Sequence, residues 1–248
     1  MTRRAWLALV LLALFTPVSP ASRAPAPAST AAQAPPAAPL DLAQWEDEIR
    51  AFEEEDRRDP PPVGGILFIG SSSIRLWTSL AADFPGQPVI NRGFGGSQIR
   101  EVTAFAPRIV LPYKPRMVVF YCGSNDIASG ERDAAGVLED YRAFVRTVHA
   151  ALPDARVLFV SIAPNPARWH LRAPFRRANA LVEAYTTTDP GLGYVDVWAH
   201  MVDRAGRPRP ELFVDDRLHM NAKGYAIWRR ILAEKLKMEN GKLKKGRK

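Results

Sequence analysis

Cysteine is almost missing from this sequence, with Cys122 the single one in 248 residues. No intrachain disulfide can form, so the core must hold by packing even in a compartment that permits cross-links. Cys122 ends an apolar run, which suits a small buried hydrophobe better than a nucleophile. Long apolar runs are missing too. The stretch from Ala5 to Phe15 falls short of the ~20 residues a spanning helix needs. It follows Met1-Thr2-Arg3-Arg4 and precedes Thr16-Pro17-Val18-Ser19-Pro20-Ala21, the layout of a secretory signal peptide over residues 1–21. Export to the periplasm or medium is therefore expected, with cleavage after Ala21 or Ala24. No cysteine lies directly after the run, so a bacterial lipoprotein anchor is not expected.

A basic surface is also missing, despite a formal net charge of +8. Lys235, Lys237, Lys242, Lys244, Lys245, Arg247 and Lys248, offset by Glu239, together with Arg3 and Arg4, account for the whole surplus. The remainder is near neutral, which removes the electrostatic footprint of a nucleic-acid binder. A basic C-terminal tail over 237–248 is expected to be solvated and frayed, with at most weak contact to anionic surfaces.

Residues 22–40 are almost wholly Ala, Pro, Ser and Thr, a composition that buries little and reads as an extended linker. From Asp41 the pattern changes, and one domain over 41–236 is expected. Leu42, Trp45, Ile49 and Phe52 recur at helical spacing, and Pro60-Pro61-Pro62 ends that helix. Continuous apolar runs at Ile66 to Ile69, Pro88 to Ile90, Met117 to Tyr121, Val157 to Ile162 and Tyr194 to Val197 read as strands covered on both faces. Helix-length segments alternate with them: Ile74 to Ala82, Gln98 to Leu111, Asp133 to Leu152, Pro174 to Thr188, and Ala222 to about Lys237. The alternation predicts a parallel sheet in a three-layer α/β/α domain. No internal repeat is visible.

The chemistry concentrates in four clusters. Gly70-Ser71-Ser72-Ser73 follows the first strand, where a turn lifts a hydroxyl clear of the sheet. Asp216-Arg217-Leu218-His219 places an acid and an imidazole three residues apart, close enough to meet on one turn. Asp215 is a competing acid without that spacing. Asn91 to Ser97 and Gly123 to Asp126 each follow a predicted strand, so both share the rim where open sheets of this kind bind ligands. The other histidines, His149, His170 and His200, match no motif, although the loop with Asn165, Arg168, Trp169 and His170 follows a strand and can line a pocket.

The four clusters, in this order from about Gly65 to Leu236, resemble the SGNH hydrolases, also called the GDSL esterase/lipase family, in the branch similar to platelet-activating factor acetylhydrolase and lysophospholipase-like esterases. The resemblance implies a flavodoxin-like sheet of five parallel strands and hydrolysis of a small-molecule ester with neither metal nor cofactor. It implies a triad of Ser72, His219 and Asp216, with the Ser72 N–H, Gly96 and Asn125 as oxyanion hole. Ser71 stands where the family usually has aspartate, so Ser72 rather than Ser73 rests on register. Asp126 is expected to organise its loop. Short acyl esters are expected, with aryl, acetylated-sugar and lysophospholipid alcohols all open. Acyl transfer to a sugar hydroxyl and a non-catalytic carbohydrate-binding module on the same fold are the alternatives.

Overall fold

Five short segments, the central ones almost wholly of large apolar residues, become the five strands of one parallel sheet. A computed structural model describes residues 40–245, with side chains to 241; the expected signal peptide, the linker up to residue 39 and residues 246–248 lie outside the described residues. In chain order, helix α1 (Glu46–Arg58) precedes strand β1 (Ile66–Gly70), then α2 (Ser72–Arg75), α3 (Leu80–Asp83) and β2 (Val89–Gly93). Helix α4 (Ile99–Ile109), β3 (Met117–Tyr121), α5 (Ser124–Ala128), α6 (Ala134–Ala151) and β4 (Arg156–Val160) follow. Helix α7 (Arg172–Thr186), β5 (Leu192–Val195), α8 (Trp198–Met201) and α9 (Ala222–Lys245) complete the chain. The strand order is β2-β1-β3-β4-β5, all parallel.

Strand side chains alternate between faces, and that alternation divides the core in two. Leu67, Ile69, Val118, Phe120, Val157 and Phe159 pack under α1, α4, α6 and α7, whereas Ile66, Phe68, Met117, Val119, Leu158 and Val160 pack under α2, α3, α8 and α9. Each large apolar side chain buried this way contributes ~1.5–3 kcal/mol, enough in sum for a core without cross-links. Among the described residues, no helix is long and apolar enough to cross a membrane. After β2 the chain crosses to the other side of β1 to enter β3, so the topological switch lies between β1 and β3. A crevice at the carboxyl ends of those two strands is the natural ligand position.

Several elements depart from the sequence reading, each for a local reason. The helix expected over Ile74 to Ala82 is two short ones, because the chain breaks at Leu76 to Ser79 to bury Trp77 against Phe68, Phe84, Tyr225 and Trp228. The Trp77 indole N–H donates to Asp83 at 2.7 Å, satisfying its one polar atom. Strand β4 stops at Val160 rather than Ile162, since the Asn179 side chain takes both main-chain groups of Ile162, at 2.8 and 3.0 Å. Strand β5 starts and ends earlier than Tyr194 to Val197, because Asp196 accepts the Trp198 N–H at 2.8 Å and turns the chain into α8. Strand β2 runs on to Gly93. Helix α9 continues past Lys237 to Lys245 instead of giving way to a frayed tail. Its extension is anchored by the buried Glu239, whose carboxylate meets Arg156 at 2.7 Å and Lys235 at 3.6 Å.

Candidate active site

The site begins where β1 ends. Gly70 has φ +142°, and a Cβ there would lie 1.8 Å from the Tyr121 carbonyl oxygen of β3. Only glycine allows this approach, which turns the chain sharply out of the sheet. Ser71 donates its N–H to that same carbonyl at 3.2 Å, and Ser72 opens α2. The Ser72 hydroxyl lies 2.9 Å from His219 Nε2. Ser72, not Ser73, is the hydroxyl in contact with the imidazole, and the Ser73 carbonyl accepts the Tyr225 hydroxyl at 3.0 Å.

The loop before α9 supplies the imidazole and its carboxylate partner. Its turn closes through Val214 N–H to the His219 carbonyl and Arg217 N–H to the Val214 carbonyl, both 2.9 Å, with Arg217 in the left-handed region at φ +58°. Asp216 Oδ2 holds His219 Nδ1 at 2.6 Å, and Asp216 Oδ1 accepts the Leu218 and His219 N–H groups at 2.8 and 2.9 Å. Partial burial pushes the Asp216 pKa up, but these hydrogen bonds outweigh it and hold the carboxyl below its ordinary range. Asp216, not Asp215, is the carboxylate in contact with the ring.

Three N–H donors come from three different elements near Ser72. The main-chain N–H groups of Ser72 and Gly96 have no hydrogen-bond acceptor among the described residues. Gly96 adjoins the third donor, since a Cβ on it would lie 3.8 Å from Asn125 Nδ2. The Asn125 amide is fixed at both ends: Nδ2 donates one hydrogen to the Ser97 carbonyl at 3.1 Å, and Oδ1 accepts from Arg168 Nη1 at 2.9 Å. One Nδ2 hydrogen remains for a ligand. Three unengaged N–H groups beside a hydroxyl–imidazole–carboxylate chain can stabilise negative charge that develops on a carbonyl oxygen under attack.

The loop carrying Gly96 is held from several sides. Phe94 N–H donates to the Gly70 carbonyl at 3.0 Å, tying the loop to β1. Gly95, at φ +37°, donates its N–H to Glu48 Oε2 at 3.0 Å, and a Cβ on residue 95 would overlap the Trp45 ring. Glu48 also lies 3.9 Å from Arg75 at the end of α2, so α1 touches both the loop carrying Gly96 and the helix carrying Ser72. Asp126 Oδ1 accepts the Ile99 N–H at 2.9 Å, joining α5 to the start of α4. Burial pushes the Asp126 pKa up to about 7, against the hydrogen bond from Ile99. Burial also drives the Cys122 thiol well above its ordinary range, away from thiolate chemistry.

The pocket between these groups has a cavity of about 20 Å³, walled by Tyr121, Ala163, Asn165, Arg168, Phe213 and Met220 in addition to the serines, Asn125 and His219. Asn165 and Arg168 therefore line it, whereas Trp169 packs on Trp198 and His170 is exposed. Glu48 and Trp45 carried no signal in the sequence beyond belonging to an amphipathic helix. Arg168 belongs to no motif. Among the described residues, no three His, Cys, Asp or Glu side chains converge as metal ligands do.

A family model described as the GDSL-like Lipase/Acylhydrolase family matches residues 70–227. No curated protein matches significantly. Among solved structures, a GDSL-like lipase from Bacteroides thetaiotaomicron aligns with a TM-score of 0.66 at 20% identity, covering 77% of this chain and 98% of its own. A Streptococcus pneumoniae protein assigned as a platelet activating factor gives 0.64 at 20%, covering 79% and 94%. An acetylxylan esterase from Geobacillus stearothermophilus gives 0.54 at 16%, covering 70% and 94%. At these identities the structural likenesses speak for the fold; the family match spans most of the chain and includes every residue of the pocket. The chain belongs to the GDSL-like lipase/acylhydrolase family and is a carboxylic-ester hydrolase of the GDSL type.

Proposed function

We propose that this protein is an exported esterase that removes short acyl groups through an acyl-enzyme on Ser72. The observation that carries the reading is the unbroken hydrogen-bond chain from Ser72 through His219 to Asp216, with Asn125 in the same pocket. In the forward step Ser72 Oγ attacks the ester carbonyl while His219 Nε2 takes the hydroxyl proton. The oxyanion lies against the N–H groups of Ser72 and Gly96 and the Asn125 amide. His219 then returns the proton to the leaving alkoxide, and a water activated the same way releases the acid. Asp216 holds the tautomer in which Nε2 is free to accept, and stabilises the charged ring.

A short acyl group is supported by the cavity of about 20 Å³, since a single ordered water needs ~10–15 Å³. A space of that size beside Ser72 favours a small acyl group. An acetylated sugar is the favoured alcohol side, because a neighbour of the same fold is an acetylxylan esterase. Ser72→Ala should abolish release of p-nitrophenol from p-nitrophenyl acetate, by about 10⁴-fold or more, with the melting temperature kept. Near-normal turnover would refute the assignment. Labelling of wild type by a fluorophosphonate, lost in Ser72→Ala, separates an esterase from a binding module. Acylated sugar formed in place of free acid would identify a transferase. Export is tested by the N-terminus of the protein recovered from periplasm or medium: a start at Ser22 or Pro25 supports it, and an intact Met1 overturns it.

A further inference from the structure

One charge in the pocket stands outside the chain from Ser72 through His219 to Asp216. Arg168 is half-buried on the pocket wall, and its guanidinium meets no carboxylate within ion-pair distance among the described residues. Arg92, Arg132 and Arg156, whose side chains are more fully covered, each face one: Asp56, Asp140 and Glu239 respectively. Arg168 Nη1 gives its two hydrogens to Ser124 Oγ at 2.8 Å and Asn125 Oδ1 at 2.9 Å, and its main-chain N–H bonds Asn165 Oδ1 at 2.8 Å. These bonds lock the side chain in place. Nε and Nη2 are left with no partner among the described residues, and neutral acceptors do not compensate a positive charge taken from water. Burial lowers the Arg168 pKa, yet a guanidinium keeps its proton at any working pH.

A fixed, uncompensated guanidinium beside the reactive serine selects for charge. We infer that Arg168 is a specificity residue that binds an anionic oxygen group, a carboxylate or a phosphate, carried by the ester substrate near its scissile bond. The inference rests on the esterase reading of this pocket and narrows its substrates to acidic esters. Through Asn125 the same side chain is also a positioning residue, so its removal slows every substrate. The test must therefore compare substrates within each variant.

Two matched pairs do so, each differing only in charge: 4-acetoxybenzoate against 4-acetoxybenzamide for the alcohol side, and monomethyl succinate against methyl succinamate for the acyl side. In wild type the acidic member of one pair should show a kcat/KM about tenfold higher, as expected for a charge-assisted hydrogen bond. Arg168→Gln should bring that ratio within about twofold of unity, while Arg168→Lys retains part of it. Loss of Asn125 positioning lowers both members alike and cancels. Calorimetry on Ser72→Ala gives a readout without turnover: 4-hydroxybenzoate should bind more tightly than 4-hydroxybenzamide, and Arg168→Gln in that background should erase the difference. Turnover of both pairs with no charge preference, and no preference in binding, overturns the inference and keeps the esterase. Charge-selective binding without turnover of any ester keeps the anion site and rejects the esterase.

Discussion

The two sides of the pocket are built in opposite ways. On one side, Asp216 and His219 sit on a single turn whose own main chain closes it, and one contact at 2.9 Å joins that turn to Ser72. On the other, the donors Ser72, Gly96 and Asn125 come from three elements. They are supported by Glu48 from α1, Arg168 from the loop after β4 and Asp126 from α5. The acid–imidazole pair is a local device, whereas the group of N–H donors is a property of how elements pack. Damage to the first should be severe and confined to few residues. Damage to the second should be graded and spread over several residues, Glu48 and Asp126 among them, that stand behind the donors.

The largest effects belong to the local side. His219→Ala removes the imidazole in contact with Ser72, and kcat on p-nitrophenyl acetate should fall by about 10⁴-fold or more. Asp216→Ala leaves the ring but not its orientation and should cost about 10³–10⁴-fold. The double variant should be little worse than His219→Ala, because the two act as a unit. Multiplicative losses would show that the turn is not the base. On the distributed side, Asn125→Ala removes one of three oxyanion donors and should lower kcat by about 10²–10³-fold with KM little changed. A rise in KM with kcat intact would make Asn125 a ground-state contact instead.

Smaller again is the effect expected at Glu48, outside the segment matched by the family. Helix α1 is independently clamped by Glu46 and Glu53 on Arg108 and by Asp56 on Arg92, so deleting one carboxylate should leave it docked. Glu48→Ala should then free the Gly95 N–H and let the oxyanion loop drift, lowering kcat about tenfold. Glu48→Gln keeps an acceptor for that N–H and should restore most of the rate. Equal losses in both variants would mean that the charge, through Arg75, matters more than the loop contact.

The same contrast decides what could be read from the chain itself. Strands β1 and β3 were legible because both faces are buried and the apolar runs are continuous, and the acid–imidazole turn was legible because its geometry is local. The choice between Ser72 and Ser73 needed coordinates, since three hydroxyls in a row look alike until one of them is seen to meet His219. Strand ends were misplaced where a side chain replaces a ladder partner, as Asn179 does for Ile162. Nothing in the spacing of Glu48, Gly95, Asn125 and Arg168 could signal contacts between elements so far apart in sequence. The last helix ran past its expected end because a run of lysines reads as solvated, and Glu239 buried on Arg156 reverses that locally.

The last effect, on stability rather than on rate, sharpens the comparison through pH. Asp126 ties α5 to α4 by accepting the Ile99 N–H, and burial, acting against that hydrogen bond, pushes its pKa up from 3.8 to about 7. Between those values the folded protein holds a proton that the unfolded chain releases. Stability from this group is therefore fully present below the unfolded value and is lost as pH rises through the folded one. Asp126→Asn keeps an Oδ1 acceptor for Ile99 and removes the proton. In urea unfolding at about pH 5 and about pH 8, wild type should lose stability relative to the variant, while contributions from all other groups cancel in the difference. An unchanged difference would mean that the Asp126 carboxylate is solvated when ionised, and that the support beneath the oxyanion loop is looser than its hydrogen bonds indicate. A difference that widens with pH would place a titrating group under the distributed side, while Asp216, held below its ordinary range, keeps the local side charged at both pH values.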